Sequence, residues 1–211
     1  MKLILFLFGA TLFGHDWLIV PGERVGPVTR ATSEEQLLRE LGPGVVKRRF
    51  IPSGEEGFED ATLLYGDDPS RALAIQWRDP VKRIRPEMVT ICYGLARGEC
   101  RWRMENGIGF GSSLKALEEA NGKPFTLTGF SFEEAGLIAS WMGGRLNRLM
   151  EPGRRVLLSV EPQSDAKGDF IPPPSMSELM ALMRGTDFSS ANPLMQKLNP
   201  RVSEMLVELG P

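Results

Sequence analysis

The residue types that carry most enzyme chemistry are scarce in this chain. Histidine occurs once, as His15, and cysteine twice, as Cys92 and Cys100. A serine or cysteine nucleophile activated by imidazole would have to draw on that single ring. A zinc centre built on several histidines is excluded, and Cys92 and Cys100 lack the C-x-x-C spacing of a redox pair. Carboxylates occur in adjacent pairs, Glu55-Glu56, Glu59-Asp60, Asp67-Asp68 and Glu133-Glu134. Two carboxylates can run acid–base hydrolysis, but all four pairs fall in turn-like or exposed contexts, and Asp67-Asp68 before Pro69 reads as turn chemistry. No stretch alternates oxygen ligands in the manner of a calcium loop.

Gly107-Ile108-Gly109-Phe110-Gly111-Ser112-Ser113 invites a phosphate-loop reading, because backbone N–H groups at a helix start bind anions. The Walker GK[ST] is missing, however, and Ser112 stands where a dinucleotide fingerprint needs its third glycine. The glycines read as turns. No catalytic, cofactor-binding or metal-ligating residue is therefore assigned. Basic clusters at Lys47-Arg48-Arg49, Lys82-Arg83-Ile84-Arg85 and Arg101-Trp102-Arg103 would steer an acidic partner if they met on one face. A charged outer strand face kept for solubility is the simpler reading. Aromatics are the better candidates for contact: Trp77, Trp102, Phe130, Phe132 and Trp141 fall on expected strands or their edges. Most should be core; any exposed one is a hot spot for a partner, with Trp77, Trp102, Phe130 and Trp141 the candidates.

The elements that must position these residues belong to an ordinary globular chain. Its 211 residues suffice for one large domain or two small repeats, and 42% hydrophobic with 25% charged residues suits a packed core. A net charge of −2 gives no basis for nucleic-acid binding. Lys2 followed by the apolar run Leu3–Phe13 has the layout of a secretory signal peptide, placed at residues 1–14. The run is short of the ~20 residues that span a bilayer. A mature chain without a membrane span, periplasmic or secreted, is expected; Leu12 departs from the small-x-small cleavage pattern. The alternative makes Leu3–Phe8 the buried first strand of a cytoplasmic protein.

Val89–Tyr93 and Cys100–Met104 alternate as two strands of a hairpin centred on Ala96, which would set Cys92 opposite Cys100. Cross-strand neighbours lie near disulfide range, so a Cys92–Cys100 disulfide is expected; two buried free thiols are the alternative.

Two segments look alike. Val25-Gly26 leads through Thr32-Ser33 to Leu37 and Gly42, and Ile108-Gly109 leads through Ser112-Ser113 to Leu117 and Gly122. Each hydroxyl pair can cap a short amphipathic helix that a left-handed glycine and a following proline end. Strand-like runs follow the first helix at 45–51, 61–65, 72–77 and 88–93, and the second at 125–130, 137–141 and 155–160. The expected fold is α+β, mainly antiparallel sheet with short helices, as two tandem helix-plus-meander repeats at 15–98 and 99–162. Residues 163–211 follow as linker and extension: a polar loop at 163–175, a helix at 177–184 boxed by Ser175 and Glu178, a helical turn at 192–198 and a closing strand at 202–209, packed on the second repeat.

Pro21-Gly22, Val25-Gly26, Ile75-Gln76-Trp77, Trp102, Gly107-Ile108-Gly109, Asn121-Gly122-Lys123-Pro124-Phe125, Gly129-Phe130 and the tail motif from Asp187 to Pro200 resemble an uncharacterised family of exported bacterial proteins. That resemblance implies export and fold, and no chemistry. The helix ending in Asn121-Gly122-Lys123-Pro124 is similar to the repeat of small outer-membrane assembly lipoproteins and of beta-lactamase inhibitor protein. Those are non-catalytic partner-binding modules, although the lipid-anchor cysteine of the lipoproteins is missing here. The expectation is a binding protein of the bacterial envelope with an unknown envelope protein as partner; a carboxylate-based hydrolase and a carrier of a small apolar ligand are the alternatives.

Overall fold

A computed structural model describes residues 16–53, 57–95, 98–131, 136–183 and 187–210. Along the chain it forms β1 (Leu18–Val20), β2 (Arg24–Val25), β3 (Val28–Thr29), α1 (Glu34–Leu41), β4 (Val46–Ser53), β5 (Gly57–Leu64), β6 (Leu73–Asp79) and β7 (Ile84–Ile91). Then come β8 (Arg103–Met104), α2 (Leu114–Asn121), β9 (Thr126–Leu127), β10 (Ile138–Ser140), a 3-10 segment Arg145–Met150 and β11 (Val156–Glu161). The tail adds α3 (Met176–Leu182), β12 (Phe188–Ser189), α4 (Pro193–Leu198) and β13 (Arg201–Glu208).

The helices start where their caps lie. Ser33 Oγ accepts the Gln36 N–H at 3.1 Å and Ser113 Oγ that of Ala116 at 3.2 Å. Each satisfies a donor that the first helical turn leaves free. Ser175 and Glu178 close a full capping box on α3, and α4 opens on Asn192 with Pro193 in the first turn. Gly42 and Gly122, both at φ 82°, end α1 and α2 in backbone space that costs other residues strain.

The fold is α+β, with three mainly antiparallel sheets. Six strands run in the order β11-β13-β7-β6-β5-β4, four in the order β3-β2-β1-β8, and three in the order β10-β9-β12. Strands β4 to β7 form a continuous antiparallel meander, and β13 enters between β7 and β11. One large apolar cluster sits between the sheets and helices, taking Leu37 from α1, Leu114 and Leu117 from α2, Ile75 and Val89 from the meander and Val207 from β13. Gly26 explains part of its own motif. At φ 52° it packs on Trp102, and a Cβ there would lie 2.6 Å from the indole ring.

Several expectations change. Cys92 and Cys100 are bonded, with Cα atoms 6.0 Å apart, but not across a hairpin. β8 pairs in parallel with β1 instead of folding back on β7, so the disulfide joins the end of the six-stranded sheet to the segment entering the four-stranded one. The meander after α2 does not form either. β9 and β10 are short strands of the small sheet, whereas β11 crosses to the edge of the large one. The 3-10 segment Arg145–Met150, which buries Leu146 and Leu149, carries the chain from β10 to β11. The extension reaches further than the second segment: β12 pairs with β9, but β13 lies between β7 and β11. Residues 15–98, 99–162 and 163–211 thus contribute strands to one sheet. The expected signal segment, 1–14, lies outside the described residues. Among the described residues no helix is long and apolar enough to cross a membrane.

Candidate functional site

Strand alternation gives the six-stranded sheet two chemically different faces. Toward the core point Val46, Thr62, Leu64, Leu73, Ile75, Trp77, Val89, Ile91, Val156, Leu158, Val160 and Val207. The residues between them point to the other side, where Leu157, Leu206, Thr90, Ala74 and Leu63 form one row across five strands. Ile51, Ala61, Leu63 and Ala74 pack there as a small apolar cluster with Tyr93.

This outer face carries an open groove of about 680 Å³. Among the described residues its ionisable lining is one-sided: Glu59 from β5, Glu161 from β11 and Glu204 from β13, with Gln76, Thr90, Ser159 and Ser203 between them and no lysine, arginine or histidine. Tyr93-Gly94-Leu95 and Phe110 form its apolar wall. The wall is tied down twice. The Cys92–Cys100 bond fixes the residue before Tyr93. Phe110 is held because the Gly111 N–H donates to Val202 O at 2.7 Å and the Val202 N–H to Ser112 O at 2.9 Å. Within the groove, Gln76 Nε2 donates to Glu59 Oε1 and Ser159 Oγ to Glu204 Oε2 at 3.3 Å. These bonds orient two of the three carboxylates without neutralising them, so the arrangement favours cations and hydrogen-bond donors.

On the covered face the same strands bury a charge. Glu34, in the first turn of α1, is 3% exposed. Its Oε1 accepts Arg48 Nε at 2.7 Å, and its Oε2 accepts the Thr62 hydroxyl at 2.7 Å and lies 2.8 Å from Arg83 Nε. Trp77 Nε1 donates to Thr62 Oγ1 at 2.8 Å, and Arg83 also pairs with Asp60. A buried carboxylate requires such partners. The Glu34 hydrogen bond also raises the Arg48 guanidinium above its ordinary range.

The four aromatic candidates are not gathered into a surface. Trp77, Trp102 and Trp141 are 5%, 1% and 1% exposed and serve the core. Trp102 donates to Arg71 O at 3.0 Å and meets Trp17 edge-on at 5.1 Å, and Trp141 packs on Phe125 at 5.0 Å. Phe130 is half-buried against the core, and Phe132 lies outside the described residues. Among the described residues the exposed aromatics are Phe50 and Phe58, each 73% open, on the hairpin of β4 and β5. They face the side of the sheet that carries Arg48 and Asp60 but extend past the core; alternation from Thr62 back to Phe58 was the signal for them.

The acidic pairs disperse. Glu59 faces the groove, and Asp60, one residue on, faces Arg83 on the opposite side. Asp67 is held below the ordinary carboxylate range by the Lys47 ammonium, and Asp68 by the Ser70 hydroxyl. Both are turn residues, and Glu55-Glu56 and Glu133-Glu134 lie outside the described residues. The basic clusters disperse too: Lys47 pairs with Asp67, Arg48 and Arg83 with Glu34, and Arg101 stacks over Trp17. The glycine-rich segment serves turns. At the start of α2 the Leu114 N–H donates to Pro200 O and that of Ala116 to Ser113, so those donors are already used. Asn121 of the Asn-Gly-Lys-Pro motif is structural as well: 1% exposed, it bonds Lys123 O, Trp141 O and the Leu146 N–H.

The fold and groove define an α+β protein with a one-sided antiparallel sheet. No described protein family, curated protein or solved structure matches the chain.

Proposed function

We propose that the chain is a non-catalytic binding protein of the bacterial cell envelope, and that the groove on the open sheet face seats a basic segment of a partner protein. One observation carries this reading: among the described residues the groove is lined by Glu59, Glu161 and Glu204 and by no cationic side chain, in a chain whose overall charges nearly balance. Carboxylates fixed on β5, β11 and β13 of one sheet face select lysine and arginine side chains and speed their encounter. Tyr93 and Phe110 at the wall add faces on which a guanidinium can stack. The groove is open and polar, which suits a length of polypeptide better than an enclosed apolar ligand. Export rests on the Lys2, Leu3–Phe13 layout and on the resemblance to exported bacterial proteins, and the Cys92–Cys100 bond is consistent with an oxidising compartment.

The test uses protein secreted from the full gene. An intact mass lacking the first residues supports export, and a full-length mass overturns it. Fluorescence anisotropy with an oligo-arginine peptide then reads the groove. Binding should weaken about tenfold when Glu59, Glu161 and Glu204 are changed together to Gln, and should fall with salt. Peptide binding that is absent, or unchanged in the triple variant, removes the groove from the reading.

A further inference from the structure

Helix α3 and its C-cap carry three methionines, Met176 and Met180 in the helix and Met183 at the cap, at the i, i+4, i+7 spacing of one helix face. They are 73%, 53% and 44% exposed, whereas Met104, Met195 and Met205 are buried at 4%, 0% and 0%. At about 100° per residue the three lie within a sector roughly 60° wide, and Leu182, the residue that anchors the helix in the core, is about 130° away. A methionine stripe this exposed gains little of the packing for which cores use the residue. What the exposed stripe does present is three thioether sulfurs.

We propose that this face binds a soft monovalent metal ion, Cu(I) or Ag(I). Thioethers are soft, uncharged donors that select such ions over zinc, magnesium or calcium. Other soft donors are spoken for or few. Both cysteines are in the disulfide, and the chain's one histidine, His15, lies outside the described residues. The reach is adequate: successive members of the stripe have Cβ atoms about 5–6 Å apart, and the flexible methionine chain lets the sulfurs converge on one ion. Met183 follows α3 in right-handed helical geometry, φ −89° and ψ −1°, so the register holds through the third sulfur.

The support is firm at both ends. The capping box at Ser175 and Glu178 fixes the first turn, and the Phe130 N–H donates to Leu182 O at 2.9 Å at the last. The nearby charges are engaged with one another, since Lys197 Nζ lies 3.2 Å from Glu178 Oε2. Thioethers have no proton to lose, so binding here should release none and persist in acid, where imidazole ligands fail.

The test titrates Ag(I), the redox-inert probe, into the disulfide-intact protein in chloride-free buffer. Calorimetry is read beside the methionine methyl resonances. The expected result is one ion per chain, shifts confined to the methyls of Met176, Met180 and Met183, and equal affinity at about pH 7 and pH 5. Changing all three to Leu conserves volume and helix propensity, and a melting temperature within about 2 °C of the parent shows that the variant is folded. That variant should lose at least about tenfold in affinity. No silver binding by the parent protein overturns the proposal, as does binding retained by the folded Leu variant or lost at pH 5.

Discussion

The two faces of the six-stranded sheet are made by the same strands and treat charge in opposite ways. On the covered face Glu34 is enclosed by Arg48, Arg83 and Thr62, with Trp77 completing the network from below. On the open face Glu59 accepts from Gln76 and Glu204 from Ser159, and Glu161 stands opposite Arg201 in the β11–β13 register. The lesson is that a carboxylate's place in the pleat, more than its presence in the chain, decides whether it serves stability or recognition. Glu59 and Asp60 are neighbours in sequence and belong to different faces.

Glu34→Gln is the strongest way to break that contrast. The amide keeps the shape and removes the charge, leaving Arg83, only 12% exposed, without its buried partner. Losing one member of a buried pair costs about 3–5 kcal/mol, read as a lower urea midpoint at unchanged slope. Glu161→Gln, on the open face, should stay within about 0.5 kcal/mol of the parent. Equal losses from the two substitutions would erase the distinction between the faces.

The disulfide sharpens it next. Cys92 and Cys100 close a loop of sequence separation 8, for which chain entropy assigns about 2.5 kcal/mol. The paired Ala variant should lose about that much on chemical unfolding. It should also gain amide exchange first at Tyr93, Gly94 and Leu95, the groove wall that the bond holds. Loss of stability with an unchanged wall would separate the bond from the site.

Much of the fold was legible in the sequence, and the reason is local. Ser33, Ser113, Ser175 and Asn192 announce helix starts by hydrogen bonds made within a few residues. The meander from Val46 to Ile91 announces itself by alternation between turn signals. What failed depended on distant chain. The Val89–Tyr93 and Cys100–Met104 runs alternate well enough for a hairpin, but β1, far earlier in the chain, takes β8 as a parallel partner. β13 reads as a closing strand, yet nothing in Arg201–Glu208 says that it will enter between β7 and β11. The groove was invisible for the same reason, because its carboxylates come from strands that meet only through β13. The tryptophans were misleading as contact candidates because a large apolar ring on a strand is most stable in the core, where Trp77 and Trp102 find acceptors for their N–H groups.

The smallest effect lies at the margin of the open face. Asp67 accepts Lys47 Nζ at 2.8 and 2.9 Å, and that ammonium holds the carboxyl below its ordinary value of 3.8. A group whose folded pKa is depressed stabilises the protein above its unfolded pKa and loses that contribution as pH falls through the folded value. Asp67→Asn should therefore melt slightly below the parent at neutral pH. The gap should close as pH drops below about 4, because both chains then lack the charge. Both side chains are solvent-exposed, so added salt should narrow the gap as acid does. The Glu34→Gln gap should respond less to salt, because Glu34 and Arg83 are only 4% and 12% exposed, although Arg48 reaches solvent. Melting curves of both variants against salt and pH compare a solvated ion pair with a buried one in the same sheet, and a Glu34→Gln gap as salt-sensitive as that of Asp67→Asn would place Glu34 with the open-face carboxylates.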